Sequence, residues 1–110
     1  MKNVLVVDSD PLMLHAFSGL LKSQGGFFTV LCAGNGQEAL RIVADNPVQI
    51  VITGLHMPEM DGFELITRLS EEHPHIRVIV MIDQSSPILR ARVQQLSTSV
   101  HFHRAVDVSL

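Results

Sequence analysis

Short apolar runs alternate with amphipathic segments along the whole chain. Val4-Leu5-Val6-Val7 is a continuous, largely β-branched run, the pattern of a strand covered on both faces. Asp8-Ser9-Asp10-Pro11 stops it, with Pro11 suited to a first helical position and Asp10 or Ser9 to the cap. The spacing predicts a helix to about Ser23, with Leu14, Phe17 and Leu21 on its apolar face. Gln24-Gly25-Gly26 ends it, because glycine adopts the left-handed conformation cheaply. Residues 27–33 read as a second strand. Asn35-Gly36-Gln37-Glu38 reads as a capping box opening a second helix, with Ala39, Leu40 and Val43 as its buried stripe. Asp45-Asn46-Pro47 closes that helix, and residues 48–53 form a third strand.

A loop punctuated by Pro58 and Gly62 then opens a third helix, with Phe63, Ile66 and Leu69 at helical spacing. Residues 71–75 are polar, contain Pro74 and read as a loop. Residues 78–82 are a wholly apolar fourth strand. Ser86-Pro87 repeats the cap-plus-proline start, and a fourth helix is expected to about Leu96. Residues 100–103 are a short fifth strand. Five strands alternating with four helices predict an α/β fold with a doubly wound parallel sheet and right-handed crossovers.

Composition narrows this picture. At 110 residues the expectation is one domain, residues 1–110, and 46% hydrophobic residues exclude a disordered chain. The formal charge of −3 comes from interspersed acids and bases, so no direct nucleic-acid contact is expected. The single cysteine, Cys32, has no intrachain partner, which fits a reducing cytoplasm, and it reads as a small buried hydrophobe. No apolar run is long enough to span a membrane. Met13, Met57, Met60 and Met81 read as core or loop packing.

The stretch that gives the chain its character is Ile50-Val51-Ile52-Thr53-Gly54-Leu55-His56-Met57-Pro58-Glu59-Met60-Asp61-Gly62. It closely resembles the third strand and following loop of the bacterial response-regulator receiver (CheY-like) domain, and Met57-Pro58-x-Met60-Asp61-Gly62 is the specific part of the match. The similarity runs from Val4 to Leu110. It implies a flavodoxin-like sheet of order 2-1-3-4-5. It also implies phosphoryl transfer from a histidine kinase to an aspartate, assisted by Mg²⁺ on carboxylates, a lysine and a Ser or Thr switch residue.

Residue by residue, this chain departs from that pattern. The acceptor position holds Gly54, which has no side-chain nucleophile. The acidic pair maps to Asp8 and Ser9, and nearby Asp10 is expected to cap the first helix. The switch hydroxyl maps to Ile82, with Asp83 after it, and the lysine maps to Arg104. The proline after that lysine, typically cis, maps to Ala105, so a trans bond is expected there. The expectation is a degenerate pseudo-receiver that performs no catalysis, with Mg²⁺ binding weak or lost and no cofactor. Its role would be phosphorylation-independent protein–protein interaction in a two-component-type pathway. The alternatives are a ligand- or metal-sensing module, or a receiver phosphorylated on a non-standard aspartate such as Asp8 or Asp83.

Three sharper readings attach to these positions, against the plainer one that they are now packing and loop residues. Arg104 with Asp8 or Asp83 is a candidate for an internal pair that locks the loops in one state. Among six histidines, His101 and His103 share a strand face, and with His56, Asp8 and Asp10 they are weak candidates for a Zn²⁺ or Ni²⁺ site. Surface or loop roles for these histidines are favoured, because no motif has metal-ligand spacing. The space left by Gly54 could admit a small anion, although Met57 or His56 filling it is the plainer outcome.

The candidate interface is the fourth helix, where Arg90, Arg92 and Gln95 lie beside Ile88, Val93 and Leu96. A homodimer through this face is one expected arrangement. The resemblance also implies a fifth helix beside the first, and the chain reaches Leu110 where that helix would start. Its loss would forfeit about 1.5–3 kcal/mol for each large apolar side chain left unburied. The expected partner is a separate protein or an output domain fused after Leu110.

Overall fold

The computed structural model describes residues 2–23, 28–54, 60, 62–82 and 100–104, with 81–82 and 100–104 as backbone. Its elements are β1 (Lys2–Val7), α1 (Pro11–Lys22), β2 (Phe28–Ala33), α2 (Gly36–Asp45), β3 (Ile50–Thr53), α3 (Gly62–Glu72), β4 (Arg77–Ile82) and β5 (Val100–Arg104). All strand pairs are parallel, and the sheet order is β2-β1-β3-β4-β5, the expected flavodoxin-like order. The expected fourth helix, with its interface residues Ile88, Arg90, Arg92, Val93, Gln95 and Leu96, lies outside the described residues. So does the question of a fifth helix.

Helix starts follow side-chain chemistry. Asp10 stays extended, and its carboxylate accepts the Leu12 N–H at 2.9 Å, which fixes the start of α1 at Pro11. Asn35 does the same for α2, accepting the Glu38 N–H at 2.8 Å. Glu38 reaches back to the Gly34 N–H at 3.1 Å, one residue earlier than a simple reciprocal box would place it. Thus both strand-to-helix corners at this edge of the sheet are held by side-chain oxygens.

Crossover handedness then distributes the helices. The chain leaves β1 toward one edge through α1 and returns over β1 through α2, so right-handed crossovers put these helices on opposite faces. Leu5, Val7, Val51, Val78 and Val80 lie under α2 and α3, and they form one cluster with Ala39, Val43, Leu65, Ile66 and Leu69. Val4, Val6 and Ile52 are buried on the other face, and Phe17 is the one buried residue of α1. Leu14 and Leu21 are only half-buried, and Leu12 is 78% exposed.

Several expectations need correction. Cys32 is exposed, because β2 is an edge strand with a single neighbour; its sulfur lies 3.2 Å from Ser18 Oγ. The third helix continues through Glu71 and Glu72, with the His73 N–H bonded to the Leu69 carbonyl. Pro74 disfavours helical geometry only for the residue before it, so the helix runs two residues further than a Pro-centred loop suggests. Arg68 also hydrogen-bonds Glu72 in this last turn, holding the Glu72 carboxyl below its ordinary range. The third strand begins at Ile50 instead of 48. Val48 is still buried, and the Gln49 side chain accepts the Asn3 N–H at 2.6 Å beside the ladder.

Candidate functional site

Parallel register brings the ends of β1 and β3 together. Val7 pairs with Thr53, so the next residues, Asp8 and Gly54, sit side by side. The Gly54 N–H donates to the Val7 carbonyl at 3.4 Å, and the Asp8 N–H donates to the Ala33 carbonyl at 3.1 Å. Both residues are half-buried. Beneath them Thr53 is fully buried, and its hydroxyl donates to the Gly54 carbonyl at 2.9 Å. A buried β-strand position carrying a hydroxyl is thereby satisfied locally.

Asp8 faces this corner. Its Oδ1 accepts the Asp10 N–H at 2.8 Å, which tightens the turn leading into α1. Its Oδ2 lies 3.8 Å from the point where a Cβ on Gly54 would stand, an ordinary contact distance. Gly54 is not in the left-handed region either, so neither backbone nor space requires glycine there. Ser9 is exposed at the bend, and Asp10 is the cap of α1, as expected. Among the described residues the oxygen set is therefore the Asp8 carboxylate, with Oδ1 on the Asp10 N–H, and the Asp10 carboxylate on the helix cap, with no side chain at position 54.

This set does not fit Mg²⁺, a hard cation that takes carboxylate oxygens in near-octahedral array. Among the described residues no group of three or more His, Cys, Asp or Glu could hold a metal ion. His101 and His103 stand two positions apart in β5, in register with Ile79 and Met81. Ile82 and Arg104 are paired in register at the ends of β4 and β5, on the same sheet edge as the cleft. His56 and Asp83 lie outside the described residues.

One contact at this edge was invisible to sequence reasoning. Gly36, at the start of α2, is buried against Met60, six positions after Gly54. A Cβ on Gly36 would stand 2.8 Å from Met60 Cγ and Sδ and 2.9 Å from its Cβ. Met60 is itself in the core. Gly36→Ala is therefore expected to lose about 1–3 kcal/mol in urea unfolding. Met60→Ala in the same chain should recover part of that loss, since the Cγ and Sδ overlaps disappear and only the Cβ approach at 2.9 Å stays. Equal losses for Gly36→Ala with and without Met60→Ala would show that the contact is not the cause.

Comparison with known proteins agrees with this geometry. Residues 4–106 match the response regulator receiver domain. The chain is 35% identical over 94 residues to the transcriptional regulatory protein GlrR of Escherichia coli, covering 84% of this chain and 21% of that protein. It is 35% identical over 83 residues to a protein-glutamate methylesterase/protein-glutamine glutaminase of Hahella chejuensis, covering 76% of this chain and 24% of that one. The chain thus spans under a quarter of the length of these relatives. Among solved structures, the signal receiver domain of an HD domain-containing protein from Pseudomonas fluorescens superposes with a TM-score of 0.84 at 25% identity, covering 96% of this chain and 82% of that chain. Chemotaxis protein CheY4 of Vibrio cholerae shares the fold with the same TM-score at 23% identity, over 94% of this chain and 86% of that chain. Among the described residues no helix is long and apolar enough to cross a membrane. The sheet order, the corner at the ends of β1 and β3, and these matches together establish that the chain belongs to the response regulator receiver domain family.

Proposed function

We propose that this receiver domain works without accepting a phosphoryl group and passes signals by protein–protein contact in a two-component-type pathway. The observation that carries the reading is Gly54 beside Asp8 at the end of β3. Phosphoryl transfer needs a nucleophilic oxygen in line with the phosphorus. At the position the family resemblance assigns to that oxygen, this chain has only hydrogen. Ile82, at the position assigned to the switch hydroxyl, has no group to bond phosphoryl oxygens. Arg104, at the position assigned to the lysine, is a third change in the set the resemblance gives to the chemistry. The partner is a separate protein or a fused output domain. Relatives described as a methylesterase and as a transcriptional regulator support the second form.

The test is direct. The chain is incubated with Mg²⁺ and acetyl phosphate, and intact mass and peptide mapping follow. No adduct is expected on any aspartate. A phosphoryl group on Asp8, or on any other aspartate, overturns the reading.

A further inference from the structure

We infer that the cleft between Asp8 and Gly54 has lost Mg²⁺ as a ligand, and that Gly54 is the donor whose absence removes it. The inference rests on reading this cleft as a receiver site without its acceptor, and it goes further by assigning the metal's loss to named atoms. Among the described residues, three side chains with oxygens border the corner. Asp8 Oδ1 is engaged by the Asp10 N–H at 2.8 Å. The Asp10 carboxylate is turned to the Leu12 N–H at 2.9 Å, where it caps the start of α1. Ser9 offers a neutral, exposed hydroxyl where the family resemblance places a second acid.

Among the described residues, a divalent cation here would lean on a single carboxylate. Mg²⁺ dehydrates reluctantly, and one partly committed carboxylate gives it little reason to leave water. The missing donor is not excluded by space, because a side chain at position 54 would begin 3.8 Å from Asp8 Oδ2. A carboxylate placed there would complete a pair of acidic oxygens facing each other, the arrangement a hard cation bridges. Hence the loss is chemical, and one substitution should reverse it.

Isothermal titration of Mg²⁺ alone into the native chain, the Gly54→Asp variant and the Asp8→Asn variant tests this. The native chain and Asp8→Asn are expected to give only heats of dilution up to about 20 mM Mg²⁺, while Gly54→Asp gains saturable binding in the millimolar range. Saturable binding by the native chain that Asp8→Asn abolishes overturns the inference. A Gly54→Asp variant that folds, by its circular dichroism, yet binds nothing overturns the assignment to position 54. The acetyl phosphate experiment fails separately: a native chain that binds Mg²⁺ but takes no phosphoryl group sinks this inference and leaves the proposed function standing.

Discussion

Leu65→Ala is expected to lower the unfolding free energy by about 2–5 kcal/mol. Leu65 is completely buried in α3 and belongs to the cluster that joins that helix to Leu5, Val51, Val78 and Val80 of the sheet. Truncation removes two methyl carbons and one methine from contact and leaves a cavity that a parallel sheet closes poorly. A small domain has only about 5–15 kcal/mol to lose, so the variant should be the least stable of the simple truncations. Leu12→Ala is the matched control, the same chemical change at a residue that is 78% exposed; it should stay within about 0.5 kcal/mol of the native chain. Urea unfolding measures both, and an unchanged slope would show that the denatured state is unaffected. Similar losses in the two variants would mean that α3 does not close the core.

Leu65 also marks where the sequence pattern stops being decisive. The third helix carries overlapping series at three- and four-residue spacing. One contains Phe63, Ile66 and Leu69; the buried set is Gly62, Leu65, Ile66 and Leu69. The two differ by a small rotation of the helix on the sheet, and only packing selects between them. Phe63 ends up at the margin, half-buried. The strands were easier. A run such as Val4-Leu5-Val6-Val7 must be covered on both faces whatever its neighbours, and all four residues are buried.

Edges are the opposite case. Cys32 lies in a strand with the same apolar character, yet it is exposed, because β2 has a neighbour on one side only. That follows from strand order, a property of the whole sheet that a local window does not contain. The Gly36–Met60 approach fails for a similar reason, since the two residues are far apart in sequence and each reads as ordinary by itself. The cleft was more legible. Once β1 and β3 are parallel neighbours in the inferred order, Asp8 and Gly54 must meet, and only the orientation of the Asp8 carboxylate needed coordinates.

Gly54→Asp is expected to fold and to acquire a pH-dependent instability that the native chain lacks. The Cβ fits at 3.8 Å from Asp8 Oδ2, so the cost comes from charge and not from overlap. Two carboxylates sharing a half-buried corner cannot both ionise freely, and one has its folded-state pKa raised above the unfolded value. For an acid shifted in this direction the folded state binds more protons than the unfolded state, so stability falls as pH rises. The penalty is absent below the ordinary carboxylate range of about 4 and complete above the raised value. Solvent at the half-buried cleft keeps that penalty within the usual range for a single substitution, about 0.5–3 kcal/mol at neutral pH. Mg²⁺ reverses the sign, because an ion bound only by the folded cleft stabilises it by about 2.7 kcal/mol at a hundred times its Kd. Thermal unfolding of variant and native chain at pH 4 and pH 7, with and without Mg²⁺, gives the four comparisons. The variant should fall below the native chain only at pH 7 without the ion. Parallel profiles under all four conditions would mean that the introduced carboxylate does not meet Asp8, and the cleft geometry would have to be redrawn.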